Sequence, residues 1–114
     1  MTHKEDEMEY SEQLIQQVWE KARVNADVEM AQWREDECGA WIAREHYRDT
    51  SSNFGWLILN VSPGGPDILE NLRPFNHRNS YDIANQNAQC HVTADRTDLP
   101  PFEHSPDYLR NRDV

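Results

Sequence analysis

The sequence predicts an α+β fold in which an N-terminal helix packs on a small antiparallel sheet. Residues 11–23 carry apolar side chains at helical spacing, and residue 11 is a serine suited to cap a helix. The apolar face comprises Leu14, Ile15, Val18, Trp19 and Ala22. Residues 55–61 form an apolar, β-prone run, which is typical of a buried strand. Together these two segments predict the core of a single domain.

The segment after that run predicts a ββα unit at the centre of the fold. Residues 62–67 contain two prolines and two glycines, which favour a turn. Residues 71–75 can form a second, short strand, and Pro74 places it at a sheet edge because proline lacks a ladder donor. From Asn76 to Gln89 the chain is polar and compatible with a helix.

The remaining segments complete the predicted domain. Residues 40–42 and 90–94 are short apolar or β-branched runs, which predict two further strands. Residues 1–10 form an acidic lead-in, so we assign the domain to residues 11–96. Residues 97–114 are rich in proline and charge and predict an extended tail. Four side chains are expected to attach that tail: Leu99, Phe102, Tyr108 and Leu109.

The predicted ββα unit contains an ordered set of short motifs: Gly55-Trp56, Gly64-Gly65, Asn71-Leu72, Arg73-Pro74-Phe75 and Arg78-Asn79. The Trp33–Ile42 segment precedes this set, and a terminal Cys-x-Val-Thr strand follows it. In this order the motifs resemble the HNH nuclease family, whose core is a ββα-metal unit, and in particular its HNH-like bacterial members. The resemblance covers about residues 15–96.

The resemblance implies a lost active site. In the family, an acidic residue and a histidine end the first strand, an asparagine orients that histidine, and a ligand on the helix completes the metal site. Here these positions fall on Leu59, Asn60, Asn71 and Ser80, or on Asn79 after a shift of one residue. Leucine cannot bind a metal, an asparagine amide is not a base, and serine is a weak magnesium ligand. We therefore expect no metal, no cofactor and no catalysis at these positions.

Two alternative sites remain open at this point. A displaced nuclease centre could use His77 as its base, with Asn71 or Asn79 orienting the ring. A zinc site could use His77, Cys90 and His91, since nitrogen and sulfur ligands suit zinc. Neither set shows the close spacing of a known metal motif.

Charge is the second functional signal. The chain has 21 acidic and 11 basic residues, giving a formal net charge of −10. Such a chain repels DNA at long range and attracts basic surfaces. Glu35, Asp36 and Glu37 are consecutive acids on a predicted turn. They are either a solvated charge run or a partner-binding epitope.

The cysteines and the N-terminus bear on location. Two cysteines, Cys38 and Cys90, are too few for a disulfide scaffold, and the charged N-terminus does not look like a secretory signal. These features predict a cytoplasmic protein with reduced thiols. The sequence leaves open whether the two cysteines are close.

These observations favour a catalytically inactive, HNH-like acidic domain of bacterial or phage type. It would bind a basic, nucleic-acid-binding protein as an inhibitor or DNA mimic. One alternative is a weak metal-dependent HNH endonuclease with a displaced site, and another is a structural subunit. We expect no direct binding to nucleic acid or membrane, while the partner's identity and the oligomeric state stay open.

Overall fold

The computed structural model describes residues 10–96 and 109–114. Within these residues there is one α-helix, α1 (Glu12–Trp19), and there are eight short strands: β1 (Trp33–Glu35), β2 (Trp41–Ala43), β3 (Trp56–Asn60), β4 (Leu72–Asn76), β5 (Ser80–Asp82), β6 (Asn87–Gln89), β7 (Val92–Ala94) and β8 (Asn111–Asp113). Two 3-10 turns span Arg44–His46 and Leu69–Asn71. The strands form four two-stranded antiparallel sheets, β1–β2, β3–β4, β5–β6 and β7–β8. The coarse α+β prediction is confirmed.

Helix α1 begins where the sequence predicts it. The Ser11 side chain accepts a hydrogen bond from the Leu14 amide at 3.1 Å, which satisfies one of the free donors of the first turn. The helix ends at Trp19, earlier than the predicted Arg23. Beyond its end, the buried Arg34 guanidinium donates to the carbonyl of Glu20 at 3.1 Å. This cation neutralises carbonyl groups that the helix leaves unpaired.

Tryptophans dominate the core, as the sequence predicts. Trp19 and Trp56 are fully buried, and their ring centroids lie 5.3 Å apart. Ile42 and Leu72 pack in the same cluster, so α1, β2, β3 and β4 share one core. Trp41 is also buried and anchors a second cluster.

The β3–β4 hairpin confirms the predicted strand, turn and edge strand. The Val61 amide bonds to the Asn71 carbonyl, and the His77 amide bonds to the Gly55 carbonyl. The backbone N–H and C=O groups of the odd-numbered β3 residues therefore point toward β4. Ile58 and its partner Pro74 consequently form a non-hydrogen-bonded pair. The donor that proline lacks would have pointed away from β3, which explains why the hairpin tolerates Pro74.

The predicted helix over residues 76–89 is wrong, since the β5–β6 hairpin occupies that segment. Asparagine and aspartate side chains compete with helical hydrogen bonding and favour turns. The Asn76 carboxamide accepts from the Arg78 amide at 3.0 Å, and the Asp82 carboxylate accepts from the Asn85 amide group at 2.7 Å. The central segment thus has the two strands of a ββα unit but no following helix among the described residues.

The predicted tail also needs correction at its end. Strand β8 pairs with β7, and Leu109 is buried beside Trp41. The Asn111 side chain accepts from the Trp41 amide at 2.7 Å. Residues 109–114 therefore belong to the folded domain. The other predicted tail contacts, Leu99, Phe102 and Tyr108, lie outside the described residues, as do residues 1–9 of the lead-in.

The two cysteines form a disulfide, so the prediction of reduced thiols is wrong. Cys38 lies in the turn between β1 and β2, and Cys90 lies just before β7, with Cα atoms 5.5 Å apart. Their separation of 52 residues hides this proximity in the sequence. Among the described residues, no helix has the length and apolarity needed to cross a membrane.

Candidate functional site

The position of the family histidine, Asn60, has a structural role at the end of β3. Its amide nitrogen donates to the carbonyls of Gly65 and Pro66 at 3.0 and 3.1 Å, and to the Asp67 carboxylate at 2.8 Å. Its oxygen accepts from the Ser62 amide at 2.9 Å. Both ends of the carboxamide are therefore engaged in holding the 62–67 loop. Such a group offers neither a base nor a free ligand.

The position of the central family asparagine, Asn71, supports the same loop. Its amide donates to the Pro66 carbonyl at 2.9 Å. A Cβ atom at Gly65 would lie 2.4 Å from the Ser62 hydroxyl oxygen and 2.9 Å from the Asn71 amide nitrogen. Glycine is therefore required where the loop closes on these side chains.

The two remaining family positions do not add a site. Leu59 is half-buried on β3 and pairs with Arg73. Ser80 is exposed on β5, in a different hairpin. No hydrogen bond among the described residues joins Ser80 to Leu59, Asn60 or Asn71. The structure thus brings Asn60 and Asn71 to one loop without assembling a metal site.

Sequence reasoning missed a buried polar centre around Asp36. This carboxylate, only 1% exposed, accepts four hydrogen bonds of 2.9 Å. The donors are the amides of Cys38, Ala40 and Asn76 and the side chain of Asn79. Burial raises the pKa of Asp36 above its usual value, while the four hydrogen bonds act in the opposite direction. The carboxylate connects the β1–β2 turn to the end of β4.

Asn79, a candidate of the displaced nuclease site, belongs to this centre. Its amide also donates to the Val92 carbonyl at 3.1 Å. Its oxygen accepts from the amides of His91 and Val92 at 2.7 and 2.9 Å. All of its hydrogen-bonding capacity is used to join Asp36 to β7. A polar residue three positions after a buried strand end, as here, is the sequence signal that could have indicated this role.

The three acids of residues 35–37, which the sequence predicts to be either a solvated charge run or a partner-binding epitope, differ in burial. Asp36 is enclosed as described, and Glu35 is 7% exposed and paired with Arg96. Glu37 is partly exposed and forms an ion pair with Arg73 at 3.0 Å. The run is therefore not an exposed patch, because Asp36 is enclosed by amide donors and both glutamates are paired with arginines. A partner-binding role for Glu37 alone stays a prediction.

A small, partly enclosed cleft lies beside the outer edge of β4. Its volume is about 150 Å³, and its lining residues are Lys21, Ala22, Arg23, Glu35, Asp36, Glu37, Arg73 and Pro74. Lys21 Nζ donates to the carbonyls of Leu69 and Leu72 at 2.6 and 2.7 Å. Burial, followed by the charge of Arg73, lowers the pKa of Lys21. With these cations held by internal acceptors, the cleft does not present a phosphate-binding site.

The histidines in the described part of the chain do not form a catalytic relay. His77 Nε2 lies 2.9 Å from the Ser52 carbonyl oxygen, and His46 Nδ1 lies 3.0 Å from the Asp49 carboxylate. The Ser51 hydroxyl donates to Asp49 rather than to His46, at 2.6 Å. Hydrogen bonds from Ser51, and then from His46, lower the pKa of Asp49 to about 2. These contacts shape an exposed turn, and among the described residues no serine hydroxyl bonds to a histidine ring.

The described residues contain no group of three or more histidine, cysteine or acidic side chains placed to hold a metal. Cys90 is bonded to Cys38, so it has no thiolate for zinc. The zinc alternative built on His77, Cys90 and His91 is therefore wrong in its sulfur ligand.

Comparisons with known proteins give no further assignment. No protein-family profile, no curated protein and no solved structure matches this chain. The resemblance to the HNH family accordingly stays a prediction.

Proposed function

We propose that this protein is a catalytically inactive acidic domain that binds another macromolecule. The partner it suits best is a protein with a basic, nucleic-acid-binding surface, on which it would act as an inhibitor or DNA mimic. The observation that carries the proposal is the allocation of charge. The basic side chains of the described residues are largely engaged within the chain, whereas several exposed carboxylates are not.

The cations have internal partners. Arg44 and Arg78 form ion pairs of 3.0 Å with Glu12 and Asp113, and Lys21 is held by two carbonyls. The other basic side chains bound to acceptors within the chain are Arg23, Arg34, Arg73, Arg96, Arg110 and Arg112. Binding to a nucleic acid backbone would need these cations to exchange one acceptor for another, and this weakens the gain from counterion release.

The exposed acids are available in larger number. Glu20, Glu29, Glu45 and Glu70 are exposed and have no ion pair among the described residues. The described residues hold 14 acidic and 10 basic side chains, and the remaining residues hold seven and one. The excess of negative charge therefore exists on the described residues, and by sequence it is greater in residues 1–9 and 97–108. A field of this sign steers basic surfaces toward the protein.

The structural roles of the family positions support the inactive form of this proposal. The side chains of Asn60 and Asn79 are hydrogen-bonded within the fold at both their oxygen and their nitrogen, and the Asn71 side-chain nitrogen donates to the Pro66 carbonyl. A nuclease built on Asn60 or Asn79 would need that side chain to be released to hold water or a histidine. We infer in addition that the chain is a degenerate HNH-like domain that keeps the β3–β4 hairpin and has replaced the helix by β5–β6. A cytoplasmic location belongs to this proposal.

The test measures binding to a lysine- and arginine-rich peptide by fluorescence anisotropy over a range of salt concentrations. The variant Glu20→Gln/Glu29→Gln/Glu45→Gln/Glu70→Gln removes four exposed charges, and the matched control replaces the same residues by aspartate. We expect affinity to fall with salt, and the glutamine variant to bind about tenfold more weakly, since exposed ion pairs each contribute about 0.2–1 kcal/mol. The aspartate control should bind as the wild type does.

Three other outcomes separate the alternatives. Nicking of supercoiled plasmid that depends on Mg²⁺ or Mn²⁺ would establish the endonuclease and overturn the proposal. Peptide binding that is unchanged by salt and by the glutamine variant would favour a structural subunit that uses apolar area. Calorimetry with Mg²⁺, Mn²⁺ or Zn²⁺ should show no stoichiometric site, and a site of micromolar affinity would contradict an inactive domain.

A further inference from the structure

The β5–β6 hairpin is an arm held mainly at its two ends. We define the arm as residues 80–89, between Asn79 and Cys90. Asn79 is buried and bonded to Asp36, and Cys90 is bonded to Cys38. Both anchors connect the arm to the same β1–β2 turn. The disulfide is therefore one of the two clamps that fix the position of the arm.

Between its anchors the arm contributes little to the core. None of its residues is buried, and Ile83 is 38% exposed. Tyr81 provides its ring contacts, with a centroid 6.2 Å from that of Phe75 and 5.4 Å from the Arg73 guanidinium carbon. A segment with so little buried area depends on its ends for its position.

The disulfide is accessible from the side of Cys90. Cys90 is exposed, whereas Cys38 is partly buried. An open groove of about 420 Å³ lies beside Cys90, and its lining residues are Asp82, Asn87, Ala88, Gln89, Cys90 and His91. Access to the sulfur is one of the conditions for thiol–disulfide exchange.

We propose that the Cys38–Cys90 disulfide is a site of reversible exchange with a dithiol reductant, and that its opening releases one end of the arm. A thiolate of the dithiol attacks the Cys90 sulfur, the S–S bond breaks, and Cys38 leaves as a thiolate that takes up a proton. The second thiolate of the reductant then attacks the reductant's first sulfur, which is bonded to Cys90 in the mixed disulfide. Cys90 leaves as a thiolate and takes up a proton. The dithiol is oxidised to a cyclic disulfide, and two electrons and two protons have passed to the cysteines.

The response to reduction is local because other contacts hold β7. Asn79 still accepts from the amides of His91 and Val92. The Thr93 hydroxyl donates to the Cys38 carbonyl at 2.8 Å, and the Ala94 amide donates to the Gly39 carbonyl at 3.0 Å. The first core cluster includes neither cysteine. Reduction therefore loosens residues 80–90 and leaves β3–β4 folded. This inference does not depend on the partner proposed above.

The experiment treats the full oxidised chain with dithiothreitol in native buffer. Alkylation followed by mass spectrometry counts free thiols, and hydrogen exchange reports protection along the chain. We expect two thiols to form without denaturant, with loss of protection in residues 80–90, while β3 and β4 remain protected at the level set by the lowered free energy of unfolding. Oxidised dithiol or glutathione disulfide should restore the original pattern. The variant Cys38→Ser/Cys90→Ser should show the reduced pattern and no response to the reductant.

Three results would overturn the inference. The first is a disulfide that resists the dithiol until denaturant is added. The second is reduction that leaves exchange in residues 80–90 unchanged, and the third is complete loss of protection in β3 and β4 as well. The wild-type measurements decide the matter by themselves if the double variant does not fold.

Discussion

Replacing Asp36 by asparagine tests the buried polar centre. In the wild type, one carboxylate oxygen accepts from the amides of Cys38 and Ala40, and the other accepts from the Asn76 amide and the Asn79 side chain. Asparagine keeps one acceptor oxygen but replaces the other by an amino group. Two buried donors then face a donor. Rotating the new side chain only transfers the conflict to the other pair.

The expected loss of stability follows from these two donors. A buried donor left without its acceptor costs about 1–3 kcal/mol, so Asp36→Asn forfeits about 2–6 kcal/mol. Removing a buried charge offsets part of this, since burial raises the pKa of Asp36 and so disfavours its ionised form. We expect a net destabilisation of about 2–4 kcal/mol. Asn79 cannot compensate by turning its amide, because its oxygen is needed by His91 and Val92.

Urea denaturation of the oxidised protein, followed by circular dichroism, measures the difference. Glu37→Gln is the matched control, because it makes the same chemical change one residue away. Glu37 is partly exposed, and its ion pair with Arg73 is solvated, so the control should lose less than about 1 kcal/mol. An Asp36→Asn variant as stable as this control would refute the assignment of Asp36 as a structural centre.

Three further predictions concern the core, the pH response and the disulfide. Trp56→Ala removes a fully buried ring that contacts Trp19 and Tyr47 and should cost about 3–5 kcal/mol. An unchanged thermal midpoint would show that β3 is not packed as described. The pKa of Asp49 is lowered from 3.8 to about 2, so its contribution to stability is present above pH 3.8 and lost as pH falls toward 2. Asp49→Asn should therefore reduce the loss of stability over this interval, and identical slopes in wild type and variant would contradict the turn contacts. Reduction of Cys38–Cys90, which closes a loop of 52 residues, should lower the free energy of unfolding by up to about 4 kcal/mol by the loop-entropy estimate. Urea curves that coincide with and without dithiol, despite complete reduction, would disagree with that estimate.

The sequence by itself determined the elements that depend on local pattern. The apolar spacing of α1, the capping serine, the apolar run of β3 and the turn residues that follow it are signals carried by neighbouring residues. The edge position of β4 could be read from Pro74 alone, because the missing donor is a property of that residue. Large aromatic side chains also indicated the core, because Trp19, Trp41 and Trp56 each carry a large apolar area that burial removes from water.

Only the tertiary structure decided the roles of the polar residues and of the cysteines. Asp36 meets Asn79 across 43 positions, Cys38 meets Cys90 across 52, and Trp41 meets Asn111 across 70. No local pattern encodes such pairs, because whether a carboxylate is buried depends on donors supplied by distant segments. The same reason explains the missing helix after β4. Residues 76–89 are compatible with a helix by composition, but the side chains of Asn76 and Asn79 are bound by partners that only the folded chain brings to them.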